Sequence, residues 1–324
     1  MKKVIQNFIL VSVSILLILI LMELFLFFNH YSPDYKRFKM ELNGVNLTFN
    51  DNPDVYFKDK NINKSIYLGD SFTVGEVCAH NQKDFVSLIK QDREKKLNNS
   101  VYNFGSLGIS PTDMVNIYNH IKVGSFKKIT IVLYYNDIFL SKQGCKNVLK
   151  FDKYGIPYVQ KCDKILSGGE DTSNNTTLKK VDNILEVRIK TWRLLKEALV
   201  NSPFFSKVFN RSEWKYLYQN KNSDEFKLFI NTLDYFKKES ELNNFEINFI
   251  YFPDVKNINK SNPLHGDWKN FINEAKLKNI IIHDPWNFFL KNASRDNLAW
   301  SLTDDHPNCE AHKIMYEYIS KNLL

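Results

Sequence analysis

Residues 65–72 read Ser-Ile-Tyr-Leu-Gly-Asp-Ser-Phe. The short apolar run at 65–68 predicts a buried β-strand, and Gly69 and Asp70 indicate the turn that ends it. Ser71 therefore follows a strand directly. Ligands of open parallel sheets bind at the carboxyl ends of the strands, so this serine lies where chemistry is expected.

Strands continue to alternate with helices along most of the chain. Strands are predicted at 65–68, 101–104, 128–135, 246–252 and 280–283. Helices are predicted at 86–90, 112–121, 223–239, 268–277 and 311–323. The strand at 128–135 is apolar enough to be buried on both faces. This alternation predicts an α/β fold, a parallel sheet covered on both faces in a three-layer α/β/α domain.

The alternation breaks between about 140 and 222. A small hairpin is predicted first, over 148–159 with its turn near 153–155. A polar loop at 167–175 and helical stretches follow. We interpret this region as a large insertion, either a lid or a substrate-facing cap.

The N-terminal segment differs from the rest in composition. Residues 8–28 are almost wholly apolar, with Glu23 as the single charge. A helix of that length, at about 1.5 Å per residue, matches a hydrocarbon core of roughly 30 Å. Lys2 and Lys3 precede it and favour a cytoplasmic N-terminus. The following domain would then be periplasmic or extracellular.

A cleaved signal peptide is the alternative for this segment. The apolar run is longer than a typical signal sequence, and no small-x-small cleavage site follows it. We therefore predict a retained single-pass membrane anchor at 1–28, a polar stalk at 29–60 and one folded domain at 61–324.

The net charge and its distribution along the sequence indicate which classes of partner the protein can bind. The formal net charge is +8, but the lysines are scattered rather than arranged in a stripe. The sequence carries no zinc-finger, helix-turn-helix or RNA-binding motif, so no nucleic-acid partner is expected. A basic face can still attract anionic lipid or acidic polysaccharide.

The four cysteines suit an exported domain, because an even number permits disulfides there. Cys145 and Cys162 flank the predicted hairpin, so they can bridge its base. Cys78 follows Ser71 and Cys309 follows His306, so these two thiols meet if the serine and histidine meet. Both pairings stay open, and neither has the spacing of a metal site.

Four residues are predicted to reach one edge of the sheet. Ser71 follows the first strand, Gly108 lies in the loop after the second, and Asn136 follows the third. His306 precedes the last helix, beside Asp304. A nucleophilic serine needs a base and a third group that orients the base, and this set contains all three.

These motifs resemble the four conserved blocks of the SGNH/GDSL hydrolase family. The matching stretches are Gly-Asp-Ser-Phe-Thr-Val-Gly-Glu at 69–76, Asn-x-x-x-x-Gly at 103–108, Tyr-Asn-Asp at 135–137 and Asp-x-His-Pro-Asn at 304–308. The resemblance covers about 60–324, apart from the insertion. It is nearest to membrane-anchored bacterial members, and it implies a flavodoxin-like parallel sheet.

The resemblance also implies the role of each residue. Ser71 would be the nucleophile, His306 the general base and then acid, and Asp304 the group that holds the histidine tautomer. The backbone N–H groups of Ser71 and Gly108 and the side-chain amide of Asn136 would form the oxyanion hole. No cofactor and no metal are expected.

Some positions depart from the family pattern. Tyr134 stands where many members have glycine and would narrow the pocket. The terminal block is Asp-x-His rather than Asp-x-x-His, and Asp305 competes with Asp304 as the partner of the histidine. His312 matches a position that is often histidine in the family, and we interpret it as structural.

Three functions fit these features. The first is a serine esterase that hydrolyses carboxylic esters such as acetyl groups, on a cell-envelope glycan. The second is an O-acyltransferase that uses the same residues and passes the acyl group to a sugar hydroxyl. The third is a non-catalytic envelope-binding protein. The ester chemistry depends on the residues, whereas the glycan depends on location and resemblance.

Overall fold

A computed structural model describes residues 37–42, 45–75, 78–97, 99–138, 149–151, 157–159, 221–256, 258, 262–300 and 305–324, together with Ser14, Leu17, Ile18 and Leu21. The chain divides into two compact units, Tyr35–Glu170 with Ser212–Leu324 and Met1–Asp34 with Asp171–Arg211. The four isolated residues belong to the second unit and are helical. Nothing in the described ranges is a helix with the length and apolarity to cross a membrane. Most of the predicted anchor lies outside those ranges.

The described part of the larger unit contains β-strands, α-helices and short 3₁₀ helices. The strands are β1 (Phe38–Leu42), β2 (Val45–Phe49), β3 (Lys64–Leu68), β4 (Ser100–Asn103), β5 (Lys128–Leu133), β6 (Leu149–Phe151), β7 (Pro157–Val159), β8 (Glu246–Tyr251) and β9 (Ile282–His283). The α-helices are α1 (Pro53–Lys58), α2 (Ser71–Val74), α3 (Phe85–Leu97), α4 (Pro111–Ile121), α5 (Asp224–Asn243), α6 (Pro263–Leu277), α7 (Trp286–Asn292) and α8 (Cys309–Asn322). The 3₁₀ helices are Ala79–Asn81 and Tyr135–Ile138.

A five-stranded parallel sheet forms the centre of this unit. Its order is β4-β3-β5-β8-β9, and every neighbouring pair is parallel. Numbered along the chain, this is the flavodoxin-like order 2-1-3-4-5, in which the strand order reverses between β3 and β5. The α/β class and the parallel sheet predicted from the sequence are confirmed.

Helices cover both faces of the sheet. β3 and β5 are buried at every position, which requires a layer on each side of them. Helix α3 packs against α8, and α4 packs against α5. The predicted start of α4 is confirmed, because Ser110 caps the helix, Asp113 completes a capping box and Pro111 occupies the first turn.

The structure differs from the predicted stalk over residues 38–58. β1 and β2 form an antiparallel hairpin there, and α1 follows. Leu47, Phe49 and Tyr56 are fully buried in the core. The Tyr56 hydroxyl donates to the Ile121 carbonyl at 3.0 Å. Alternating apolar residues at 45, 47 and 49 carry the strand signal, and this part of the predicted stalk belongs to the folded unit.

Within the predicted insertion, the small hairpin is confirmed. β6 and β7 pair antiparallel, with Leu149 opposite Val159. The rest of the insertion, with Cys145 and Cys162, lies outside the described residues, so its role and that disulfide stay predictions.

Candidate active site

The predicted site residues follow neighbouring strands at the carboxyl edge of the sheet. Ser71 follows β3, Gly108 lies in the loop after β4, and the backbone of Asn136 belongs to the 3₁₀ helix after β5. Because the strand order reverses between β3 and β5, Ser71 and Asn136 flank the crevice where ligands of such sheets bind.

Ser71 is held at the start of a short helical turn. Asp70 caps this turn, and its Oδ1 accepts from the Phe72 N–H at 2.9 Å. The Thr73 and Val74 N–H groups donate to the Asp70 carbonyl. The helix ends at Val74, with Gly75 as its left-handed cap. Four residues are too few to sum a large helix dipole, so the local N–H groups are the source of any anion stabilisation.

Gly69 allows the serine turn to pack against β5. A Cβ at this position would lie 2.0 Å from Thr73 Oγ1 and 2.8 Å from the Val132 carbonyl oxygen. A side chain at position 69 would therefore displace both the Thr73 side chain and the backbone of β5 at Val132. Glycine at 69 therefore sets how deeply Ser71 sits beside the sheet; the serine is 8% exposed.

Asn103 clamps the serine turn to the loop after β4. Its side-chain amide donates to the Thr73 carbonyl at 2.9 Å, and its Oδ1 accepts from the Gly105 N–H at 2.9 Å. Its own N–H donates to Asp51 Oδ2 at 2.6 Å. Both Asp70 and Asn103 thus use their side chains to fix the backbone, as loop supports do.

Gly108 lies in the loop after β4 with a backbone conformation that favours glycine. Its φ is +67°, a left-handed conformation that favours glycine. A Cβ built there would meet nothing within 4 Å among the described atoms. Glycine is therefore selected by conformation rather than by crowding, and the space beside it permits close approach of a substrate carbonyl.

His306 lies against the residue that follows the serine. The His306 and Phe72 ring centroids are 5.6 Å apart, with 31° between the ring planes. Phe72 also stacks on Tyr134, with centroids 3.6 Å apart. Tyr134 is 2% exposed, and burial raises the pKa of its hydroxyl well above the usual value. The tyrosine that stands in place of glycine is therefore a neutral, buried residue that packs against Phe72 of the serine turn.

Backbone hydrogen bonds fix the segment that carries His306. The Trp300 N–H donates to the His306 carbonyl at 2.7 Å, and the Asn308 N–H donates to the Leu298 carbonyl at 2.9 Å. Ala299 and Pro307 form an isolated antiparallel bridge. Asn308 caps α8 through its side chain.

A disulfide joins the serine end to the histidine end of the site. Cys78 and Cys309 are bonded, with their Cα atoms 5.5 Å apart. Cys309 is the first residue of α8, three positions after His306. This pairing, open in the sequence, is present in the structure and ties the segment after α2 to the segment that bears the candidate base.

His312 is excluded as the base by its surroundings. Its side chain is fully buried, stacked on Phe85 with 5.9 Å between centroids. Burial, with a smaller contribution from nearby His306, lowers its pKa to about 3. A Cβ on Gly75 would lie 3.3 Å from His312 Cε1, so the neutral imidazole packs behind the serine turn. This agrees with the structural role predicted for it.

Two further acidic residues have structural partners. Asp305 Oδ1 accepts from Lys256 Nζ at 2.6 Å. Asp284 Oδ1 accepts the Trp286 N–H at 3.0 Å. Asp304 and the Asn136 side chain lie outside the described part of the chain, and their predicted roles stay predictions.

Sequence reasoning missed two residues that shape the site. Phe72 contacts His306 and Tyr134, and it follows Ser71 directly in the sequence. Lys256 pairs with the carboxylate next to His306. Its position shortly after strand β8 is the signal that points to it, because loops at this edge of the sheet converge on the site.

Comparison with known proteins gives structural matches of low sequence identity. No family model and no curated protein matches the chain. A lipase from a goat rumen metagenome is 16% identical, with a TM-score of 0.43, and the match covers 80% of this chain and 96% of the lipase. The acetyl xylan esterase AlAXEase is 12% identical, with a TM-score of 0.43 and coverage of 81% and 100%.

A G-D-S-L family lipolytic protein from Veillonella parvula is 13% identical to this chain, with a TM-score of 0.40. That match covers 80% of this chain and 97% of the lipolytic protein. With similarity at this level, an assignment of function depends on the residues of the site itself.

Proposed function

We propose that this protein is a serine esterase that acts through an acyl-enzyme on Ser71. One observation carries the proposal. Ser71 begins a strand-end turn at the point where the sheet order reverses, and the ring of His306 lies against the residue next to it. A serine and a partly exposed histidine at this edge are the two groups that nucleophilic ester cleavage needs first.

The reaction proposed for these residues has two halves. The Ser71 hydroxyl attacks the ester carbonyl while His306 accepts its proton, and His306 returns that proton to the departing alcohol. Water then attacks the acyl-serine, with His306 as base, and the carboxylic acid leaves. Asp304 would orient His306 throughout.

Negative charge on the carbonyl oxygen would be stabilised at the sheet edge. The N–H groups of Ser71 and Gly108 and the amide of Asn136 are the donors we assign. Loss of one such donor costs about 3 to 4 kcal/mol in the transition state. The left-handed backbone of Gly108 supports its assignment.

We propose a small acyl group, such as acetyl, as the group cleaved. The stack of Phe72 on Tyr134 fills the space next to the serine turn. An acylated cell-envelope glycan is the substrate we favour, with the domain held outside the cytoplasm by the N-terminal segment. The Cys78–Cys309 disulfide supports this location, because such bonds persist in oxidising compartments.

Hydrolysis of a chromogenic acetyl ester by the full-length chain tests the proposal, beside Ser71→Ala and His306→Ala. We expect activity in the parent and loss in both variants. Labelling of Ser71 by a fluorophosphonate without turnover would instead indicate acyl transfer to a sugar hydroxyl. The absence of both labelling and turnover would contradict an enzymatic role and would favour an envelope-binding role.

A further inference from the structure

We propose that Lys256 is a positioning residue for His306, acting through its ion pair with Asp305. This inference rests on the proposed function, in which His306 is the base. The Lys256 Nζ to Asp305 Oδ1 distance is 2.6 Å, and the two side chains are 18% and 28% exposed. A pair shielded to this degree is screened less by water and salt than a fully exposed pair.

Lys256 is itself anchored. Its N–H donates to Asp254 Oδ1 at 3.1 Å, and Asp254 is buried after strand β8. The other oxygen of Asp254 accepts from the Asn262 side chain at 3.2 Å. The lysine therefore extends from a fixed backbone, and its largely buried side chain brings the ammonium group to the Asp305 carboxylate.

Backbone contacts already join the two segments, and the ion pair completes the connection beside the histidine. The Leu298 N–H donates to the Val255 carbonyl at 2.7 Å, and the Ile258 N–H donates to the Asp296 carbonyl at 2.8 Å. Residues 298–300 in turn bond the His306 segment. These contacts hold the backbone from His306 onward. The ion pair with Lys256 holds Asp305, the residue before His306.

Several charged or titratable groups surround His306. His312 on α8 interacts with it electrostatically and stays neutral, because its own pKa is lowered to about 3. Burial raises the pKa of the Tyr134 hydroxyl most, and the carboxylates of Asp254 and Asp305 raise it further. Lys256 offsets Asp305, so the pair presents little net charge to the imidazole.

The two partners therefore predict opposite electrostatic effects. Lys256→Met leaves the Asp305 carboxylate without its cation, which stabilises the imidazolium form of His306. The acid limb of the kcat/KM pH profile should move up by roughly half a pH unit. Asp305→Asn leaves the lysine cation alone, so the limb should move down by a similar amount. Both variants should lose about tenfold in kcat/KM at the optimum, because the histidine is held less firmly.

The test measures pH profiles of acetyl-ester hydrolysis by the full-length parent, Lys256→Met, Asp305→Asn and Lys256→Arg. Arginine keeps the charge and should restore most of the activity and the parental profile. Lys238→Met is the matched control, because it removes the exposed Lys238–Asp234 pair on α5 and should change neither quantity.

Three outcomes overturn the inference. Unchanged profiles in Lys256→Met and Asp305→Asn would show that the pair does not act on His306. Shifts in the same direction would indicate general loosening. A loss near 10⁴-fold in Asp305→Asn alone would make Asp305 the direct partner of the histidine, a change of the size seen when that partner is replaced.

Failure of the proposed function gives a different pattern. If the parent neither hydrolyses esters nor is labelled at Ser71, the His306 imidazole can still be titrated by NMR in the same variants, with His306→Ala for assignment. Opposite shifts of its titration in Lys256→Met and Asp305→Asn would sustain the positioning role, and coincident titrations would refute it.

Discussion

The serine end and the histidine end of the site are held by different kinds of contact. Ser71 is fixed by residues near it in the folded core, through the Asp70 cap, the close approach at Gly69 and the Asn103 clamp. The His306 segment has backbone hydrogen bonds to residues 298–300, and it also has partners far along the chain. The segment depends on the disulfide to Cys78 and on the ion pair that Asp305 makes with Lys256.

This difference separates two tasks in such a site. The nucleophile needs one turn, and the Asp70 cap together with core neighbours of that turn determines its shape. The base must reach the nucleophile from another part of the chain, so its position depends on tertiary tethers. Substitutions at the serine end should therefore act on chemistry or on the turn itself, and substitutions at the histidine end should act on placement.

The largest effect is expected from removal of the nucleophile. Ser71→Ala should lower kcat for acetyl-ester hydrolysis by about 10⁴-fold or more, since no other group can form the acyl-enzyme. Steady-state kinetics of the full-length chain, with folding checked by circular dichroism, measures it. Substantial residual activity would show that Ser71 is not the nucleophile. The contrast between a serine end and a histidine end of the site would then have no meaning for the mechanism.

Loss of the disulfide should have the next largest effect and should act on the histidine end. The bond links positions 231 residues apart, and a loop of that size corresponds to about 5.5 kcal/mol of stability in loop-entropy terms. The Cys78→Ala/Cys309→Ala variant should be destabilised by an amount of this order in denaturant unfolding. Hydrogen exchange should rise in residues 305–308 more than in α2. Equal increases at both ends would show that the ends are not held independently.

Asn103→Ala should affect the serine end by about 2 to 3 kcal/mol. It removes two buried hydrogen bonds and leaves the Thr73 carbonyl and Gly105 N–H without these partners. Urea unfolding measures the loss. Asn99→Ala is the control, because Asn99 makes a longer 3.3 Å bond to Ser65 at the opposite edge of the sheet and should cost well under 1 kcal/mol. A similar loss of unfolding free energy in both variants would contradict the proposed clamping role of Asn103.

The smallest expected effect is on the pH dependence of the unfolding free energy, through His312, which packs behind the serine turn. The pKa of His312 is lowered from 6.5 to about 3 in the folded protein, so the unfolded chain binds a proton more readily. The contribution of His312 to the stability of the folded protein is complete above pH 6.5 and is lost as the pH falls toward 3. Between pH 7 and 5.5 this loss is about 1 kcal/mol.

His312→Phe keeps an aromatic ring against Phe85 and removes that loss. The variant should therefore lose about 1 kcal/mol less stability than the parent between pH 7 and 5.5 in urea unfolding. Asp84 acts in the opposite direction, because burial raises its pKa to about 6, but it is common to both proteins and cancels in the difference. Parallel stability curves for parent and variant would argue that His312 does not stay neutral.

The sequence predicted most of the secondary structure, because the signals are local. Apolar runs at 65–68 and 128–133 form buried strands, and Ser110 with Pro111 and Asp113 carries the local signals of a helix start. The prediction failed at 38–58, where a short polar-looking stretch buries Phe49 and Tyr56 only because the sheet is there to receive them. The strand predicted to continue to 135 ends at Leu133, because Asp137 accepts the Tyr134 N–H and turns the chain into a 3₁₀ helix.

The candidate site divides in the same way. The sequence by itself determined that Ser71, Gly108 and Asn136 lie at the carboxyl edge of a parallel sheet, since strand-end positions follow from periodicity and connection rules. Only the tertiary structure decided that His306 rests on Phe72, that Cys78 bonds Cys309 and that Lys256 holds Asp305. Those contacts join residues tens to hundreds of positions apart, and no local preference of the chain specifies them.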